Sequence, residues 1–120
     1  MVATNYNTAT SVTTIAATAA GDSATVAYTC PTNHDATIDL MLLSNNNAGA
    51  KKIYIQWYDL SSTTYYYILK AHSIAANSTY NVLDSSLLHI HAGDKIVLHG
   101  ETTNTIESSI SVKEYFSPTK

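Results

Sequence analysis

Hydrophobic and polar positions alternate along most of this chain with a period of two. Between Lys51 and Asp59, the residues Ile53, Ile55 and Trp57 fall on one side and Tyr54, Gln56 and Tyr58 on the other. That pattern predicts a strand with an aliphatic face and an aromatic, polar face. Thr37 to Leu43 alternates in the same way, with Ile38, Leu40 and Leu42 opposite Asp39, Met41 and Leu43. The intervening Ser44 to Gly49 stretch, SNNNAG, is rich in residues that tolerate left-handed backbone, so the two strands are expected to pair as an antiparallel hairpin. Asp59 to Thr63, DLSST, predicts a turn into a further strand over Thr64 to Ala71. Three consecutive tyrosines there, Tyr65, Tyr66 and Tyr67, must divide between the two faces of that strand, so at least one ring faces outward.

Further strands are expected over Ser78 to Leu83, Leu87 to His91, Asp94 to His99 and from Ile106 through Ser108 and Ile110 to Val112. Ala92, Gly93 and Asp94 form a tight turn between two of them. Near the start, Ser11 to Ala17 and Ala24 to Cys30 are candidates to pair through Ala20, Gly21 and Asp22; alternatively, the Thr- and Ala-rich first residues form an arm. No stretch keeps helical periodicity over three turns. Short strands at intervals of roughly eight to twelve residues predict an all-β fold, an antiparallel β-sandwich of jelly-roll type. The expected organisation is residues 1–22 as an N-terminal arm or edge strand and 23–120 as the sandwich domain.

The length of 120 residues leaves room for one core and no second domain. Hydrophobic residues make up 45% and charged residues only 12% of the chain, about half the usual charged share. The polar skin is therefore mostly Ser, Thr and Asn, which suits a surface packed against copies of itself or another protein. Net charge is -3, and every basic residue is Lys, so the bidentate guanidinium contacts used on phosphates and base edges are absent and nucleic acid is not an expected partner. The opening MVATNYNTAT has neither a charged n-region nor an apolar h-region, which predicts a protein made in the cytosol without signal-peptide export. No apolar run approaches the roughly 20 residues of a bilayer span, so no membrane partner is expected.

Candidate chemistry is sparse. His89 and His91, separated by Ile90, place two imidazoles on one face of a strand within reach of a single metal ion. A cupin has a similar His-x-His followed by a ligating Glu, but Lys95 and Ile96 stand at the matching positions. A second arrangement sets the pair on the threefold axis of a trimer, as in the iron-binding needles of some phage fibres. In the plain alternative, both imidazoles lie on the polar face of a strand whose Leu88 and Ile90 face the core. Cys30, the single cysteine, precedes Pro31 at a strand end and is expected to be a buried structural thiol. Asp22, Asp59, Asp84 and Asp94 sit in turn contexts that call for Asp on backbone grounds, and no phosphate loop, nucleophile motif or metalloprotease helix occurs. No catalytic residue and no cofactor are expected. Tyr54, Tyr58, Tyr65, Tyr66 and Tyr67, with Trp57, form the other candidate set: such rings fill the centre of a protein interface, stack on sugars, or belong to the core.

The order of short motifs, YTCPTN from Tyr28 to Asn33, IDLMLLSNNN from Ile38 to Asn47, QWYD from Gln56 to Asp59, YYYI from Tyr65 to Ile68, IAANS from Ile74 to Ser78 and AGDKI from Ala92 to Ile96, resembles a family of small virion-associated proteins of tailed bacteriophages, marine and cyanobacterial ones included. The resemblance spans roughly Ala24 to Phe116. It implies a β-sandwich structural component present in many copies, with no catalytic residues to carry over. On that expectation the chain is a capsid decoration protein that stabilises the head shell, or else a tail or fibre component contacting host glycans. The expected partners are the major capsid protein or other virion proteins and copies of the chain itself, as a homo-oligomer such as a trimer.

Overall fold

A computed structural model describes residues 3–8, 25–100 and 106–116. Nine strands follow in order: β1 (Ala3–Thr8), β2 (Thr25–Thr29), β3 (His34–Asn45), β4 (Lys51–Asp59), β5 (Thr64–Ile74), β6 (Thr79–Asn81), β7 (Leu88–His91), β8 (Lys95–Gly100) and β9 (Ile106–Phe116). They form two antiparallel sheets, one ordered β1-β9-β3-β6 with β7 also pairing β3, the other ordered β2-β8-β4-β5. Among the described residues there is no helix. The strand order is that of a jelly roll, in which two Greek keys wrap around one core. The expected all-β sandwich is therefore the observed architecture. Within the 1–22 segment, Ala3–Thr8 pairs with β9 as an edge strand, while the strand expected over Ser11 to Ala17 lies outside the described residues.

Alternation explains which residues fill the space between the sheets. One inner face contributes Ala36, Ile38, Met41 and Leu43 from β3, Ile90 from β7, and Ile106, Ile110 and Val112 from β9. The other contributes Ala27, Ile53, Ile55, Ile96 and Leu98, all buried. A bulge between Ile38 and Leu40 shifts the phase of β3, so Met41 and Leu43 face inward while Leu40 is 37% exposed. The expectation of Leu40 and Leu42 sharing a face with Ile38 fails for this reason: one extra residue exchanges the faces downstream. A second bulge, on β5 opposite Tyr54, places Ala71 at a φ of 53°.

The hairpin expected between β3 and β4 does not form: the two strands lie in opposite sheets. None of residues 44–49 takes a positive φ, so the primed turn that closes a tight hairpin is absent. Instead Asn45, 1% exposed, pins the crossing. Its amide donates to the carbonyls of Gly49 at 3.0 Å and Ile74 at 2.9 Å, and its Oδ1 accepts from the Asn47 amide at 2.9 Å. Crossing sets the aliphatic faces of β3 and β4 against each other, where a hairpin would lay them side by side and leave both needing cover. The turn of Ala92, Gly93 and Asp94 likewise crosses between sheets, joining β7 in one to β8 in the other.

That second crossing is fastened by a buried carboxylate. Asp94, 1% exposed, accepts from Trp57 Nε1 at 3.2 Å and from the amides of Leu60 at 3.0 Å and His91 at 3.0 Å. Its backbone carbonyl accepts from the Cys30 amide at 2.9 Å, and the Gly93 amide donates back to the Cys30 carbonyl at 3.0 Å. One turn thus ties the end of β2, the β4–β5 hairpin and the β7–β8 crossing together. Gly93, at a φ of 83°, supplies the left-handed residue that the turn requires.

Candidate functional site

The aromatic residues of β4 and β5 divide as strand geometry demands. Tyr58 pairs in register with Tyr65 and with Lys95, Gln56 with Tyr67 and Val97, and Tyr54 with His99. These rows form the outer face of the β2-β8-β4-β5 sheet. The Tyr58 and Tyr65 rings lie 4.7 Å apart, Tyr54 stacks on His99 at 4.4 Å and 8°, and Tyr67 stands 6.5 Å from Tyr54. Between the rings the floor is closed, because Gln56, Val97 and His99 are buried. Lys95 Nζ lies 4.8 Å from the Tyr58 ring centroid and Lys70 Nζ 5.2 Å from that of Tyr67, so a cation borders the ring cluster at two points.

Tyr66 belongs elsewhere. It pairs with Trp57 on the opposite side of the same strands and stacks on that indole at 5.3 Å, with its own ring exposed. Trp57 packs against the buried cluster and is anchored by Asp94. Of the sequence-predicted interface residues, then, Tyr54, Tyr58, Tyr65 and Tyr67 share one outward face, and Tyr66 does not join them. His99 and Lys70 complete the face and were not among the residues expected there. His99 joins Tyr54 through strand pairing, which the sequence alone does not specify.

On the other sheet, β7 alternates with Ile90 buried and His89 and His91 exposed. Both imidazoles meet β3: His91 is in register with Asp35 and His89 with Thr37. His91 Nδ1 lies 3.0 Å from Asp35 Oδ1, and His89 Nδ1 lies 3.0 Å from Thr37 Oγ1. The two rings are edge to face at 5.5 Å. His99, one turn onward in sequence, lies on the opposite sheet and plays no part here.

Cys30, Asp59 and Glu114 are engaged within the fold. Cys30 is 1% exposed, and its Sγ contacts the His34 carbonyl at 3.4 Å. Burial pushes the thiol up from 9.0 to about 12, with the nearby carboxylates of Glu114, Asp35 and Asp94 acting in the same direction. A thiol so placed is not a nucleophile at neutral pH. Asp59 accepts from the Ser61 hydroxyl at 2.8 Å and the Ser62 hydroxyl at 3.0 Å, and the Ser61 hydroxyl first among these contacts holds its carboxyl below the ordinary value. Glu114 is buried on the inner face of β9 and accepts a hydrogen bond from the Tyr28 hydroxyl across the core.

No known family profile and no curated protein matches the chain. Among solved structures it is similar to a chain from Bacillus endospore appendages, described as a novel family of disulfide-linked pili, at a TM-score of 0.55 and 12% identity over 96% of this chain and 88% of that one. The likeness is one of fold.

Proposed function

We propose that the chain is a non-catalytic structural subunit that works in many copies, associating through the outer face of its β2-β8-β4-β5 sheet. The observation that carries this reading is the tyrosine face itself. Tyr54, Tyr58, Tyr65 and Tyr67 present amphipathic rings that cost little side-chain entropy to fix, over a floor that is already closed. Low surface charge leaves little repulsion between copies. The acidic side chains of Asp59 and Asp94 are engaged by their own turns, which supports a mechanical role over a chemical one.

The finer reading is a bacteriophage virion protein, made in the host cytoplasm and assembled onto the particle as a capsid decoration protein with the major capsid protein and its own copies as partners. The ordered motifs from Tyr28 to Ile96 support it. A tail or fibre location is the second reading, and the likeness to a pilus chain favours it. The disulfide linkage of those pili does not transfer. Cys30, the single cysteine among the 120 residues, is buried, so this thiol is not presented to a neighbouring copy. Gold labelling of intact phage particles with an antibody to the protein tests the finer reading. Label over the head supports decoration, label confined to the tail supports the fibre reading, and unlabelled particles refute both.

A further inference from the structure

We propose that Asp35, His89 and His91 form a binding site for one divalent transition-metal ion of the zinc class on the outer face of the β1-β9-β3-β6 sheet. One donor atom from each residue lies within 4.8 Å of the others. In a tetrahedral site with bonds of about 2.0–2.1 Å, neighbouring donors stand roughly 3.4 Å apart. The hydrogen bond between His91 Nδ1 and Asp35 Oδ1, at 3.0 Å, already holds those two donors inside that spacing, and an ion bound by both takes the place of the proton they share. His89 supplies the third donor from an exposed ring on the same strand face.

The strands make the arrangement independent of any symmetry between copies. β7 alternation sets both imidazoles outward, and the antiparallel register with β3 places Asp35 directly beside His91 and Thr37 beside His89. The carboxylate that a His-x-His pair lacks within its own segment therefore arrives from a strand 56 residues away in sequence. Thr37 completes the set as a positioning residue. In the tautomer in which His89 Nδ1–H donates to Thr37 Oγ1, the ring is oriented and the lone pair on Nε2 is left for the metal, as outer partners of ligating histidines commonly do. Two imidazoles and one carboxylate suit a borderline divalent ion far better than calcium or magnesium, which take oxygen ligands. The exposure of both histidines leaves further coordination positions open to water or to a donor from another molecule.

Calorimetric titration of the full chain with Zn²⁺, paired with Co²⁺ absorption spectroscopy, tests the site. The expected result is one ion per chain with a visible Co²⁺ spectrum showing nitrogen ligation. His89→Ala and His91→Ala should each abolish saturable binding, and Asp35→Asn should weaken it at least ten-fold. Thr37→Val should weaken it less, and His72→Ala, remote from the cluster, should leave it unchanged. Circular dichroism melts confirm that each variant is folded. Absence of saturable binding to the wild-type chain overturns the proposal, as does binding that survives loss of either histidine or that is indifferent to Asp35→Asn. The test reads the isolated chain, so its failure leaves the proposed assembly role standing, and the reverse also holds.

Discussion

Replacing Asp94 with Ala removes the group that joins three parts of the fold. The carboxylate accepts from Trp57 Nε1 and from the amides of Leu60 and His91, and it is 1% exposed. Hydrogen bonds to a charged acceptor contribute about 1.5–3 kcal/mol each, which would sum to roughly 5–9 kcal/mol if they were independent. They are not, because they share one carboxylate and a neighbouring rim residue, Leu60, is 47% exposed, so water can reach part of the vacated space. The expected loss for Asp94→Ala is about 3–5 kcal/mol, or a fall in melting temperature of roughly 12–20 °C for a chain of this length. Asp94→Asn keeps a carbonyl oxygen for the donors now on Oδ2, Trp57 and His91, and turns an NH2 toward the Leu60 amide, so about half of the loss is expected. Trp57→Phe, which deletes a single donor, should cost less than either. Urea melts of the four proteins, followed by Trp fluorescence where Trp57 is retained and by circular dichroism throughout, give the order. A loss below about 1 kcal/mol for Asp94→Ala would refute the claim that this turn fastens the sandwich.

Gly93→Ala should destabilise by about 1–3 kcal/mol, since the residue has a φ of 83° and a Cβ there would stand 2.3 Å from Leu60 Cδ2; an unchanged chemical-denaturation midpoint would contradict the turn geometry. Cys30 links stability to alkaline pH. Below about pH 9 the thiol is neutral in folded and unfolded chains alike, whereas above it the unfolded chain loses its proton first, so stability falls as pH rises toward about 12. Cys30→Ala should flatten that slope in melts between pH 8 and 11, and iodoacetamide at pH 8 should label the wild-type thiol only on unfolding.

The elements themselves were legible in the sequence because alternation is local. β4 occupies the same Lys51–Asp59 span that the positions of Ile53, Ile55 and Trp57 imply, and the split of Tyr65 and Tyr67 from Tyr66 follows from the same period. Pairing was not legible. The alternation within β3 and within β4 is the same for a hairpin and for a crossing, and SNNNAG reads as a turn in either case; the decision rests on Asn45 meeting Ile74 and on which sheet each strand joins. The same limit hid Asp35 from the His89 and His91 pair, and His99 from Tyr54, since each meeting depends on strand register across the fold. Asp94 was read as a turn former, which it is, but its reach to Trp57 and Leu60 belongs to tertiary structure. The β3 bulge shows the cost of a single residue: it reverses the faces of Leu40 and Met41.

Association through the tyrosine face is most directly tested by hydroxyl-radical footprinting of the protein, free at low concentration and again in its assembled state. Tyr54, Tyr58, Tyr65 and Tyr67 are expected to become protected together on assembly, while His89 and Tyr115 on the opposite sheet keep their reactivity, and Tyr65→Ser with Tyr67→Ser is expected to give a folded chain that no longer assembles. Tyrosines that react equally in both states, or a folded double variant that assembles as the wild type does, would contradict association through this face.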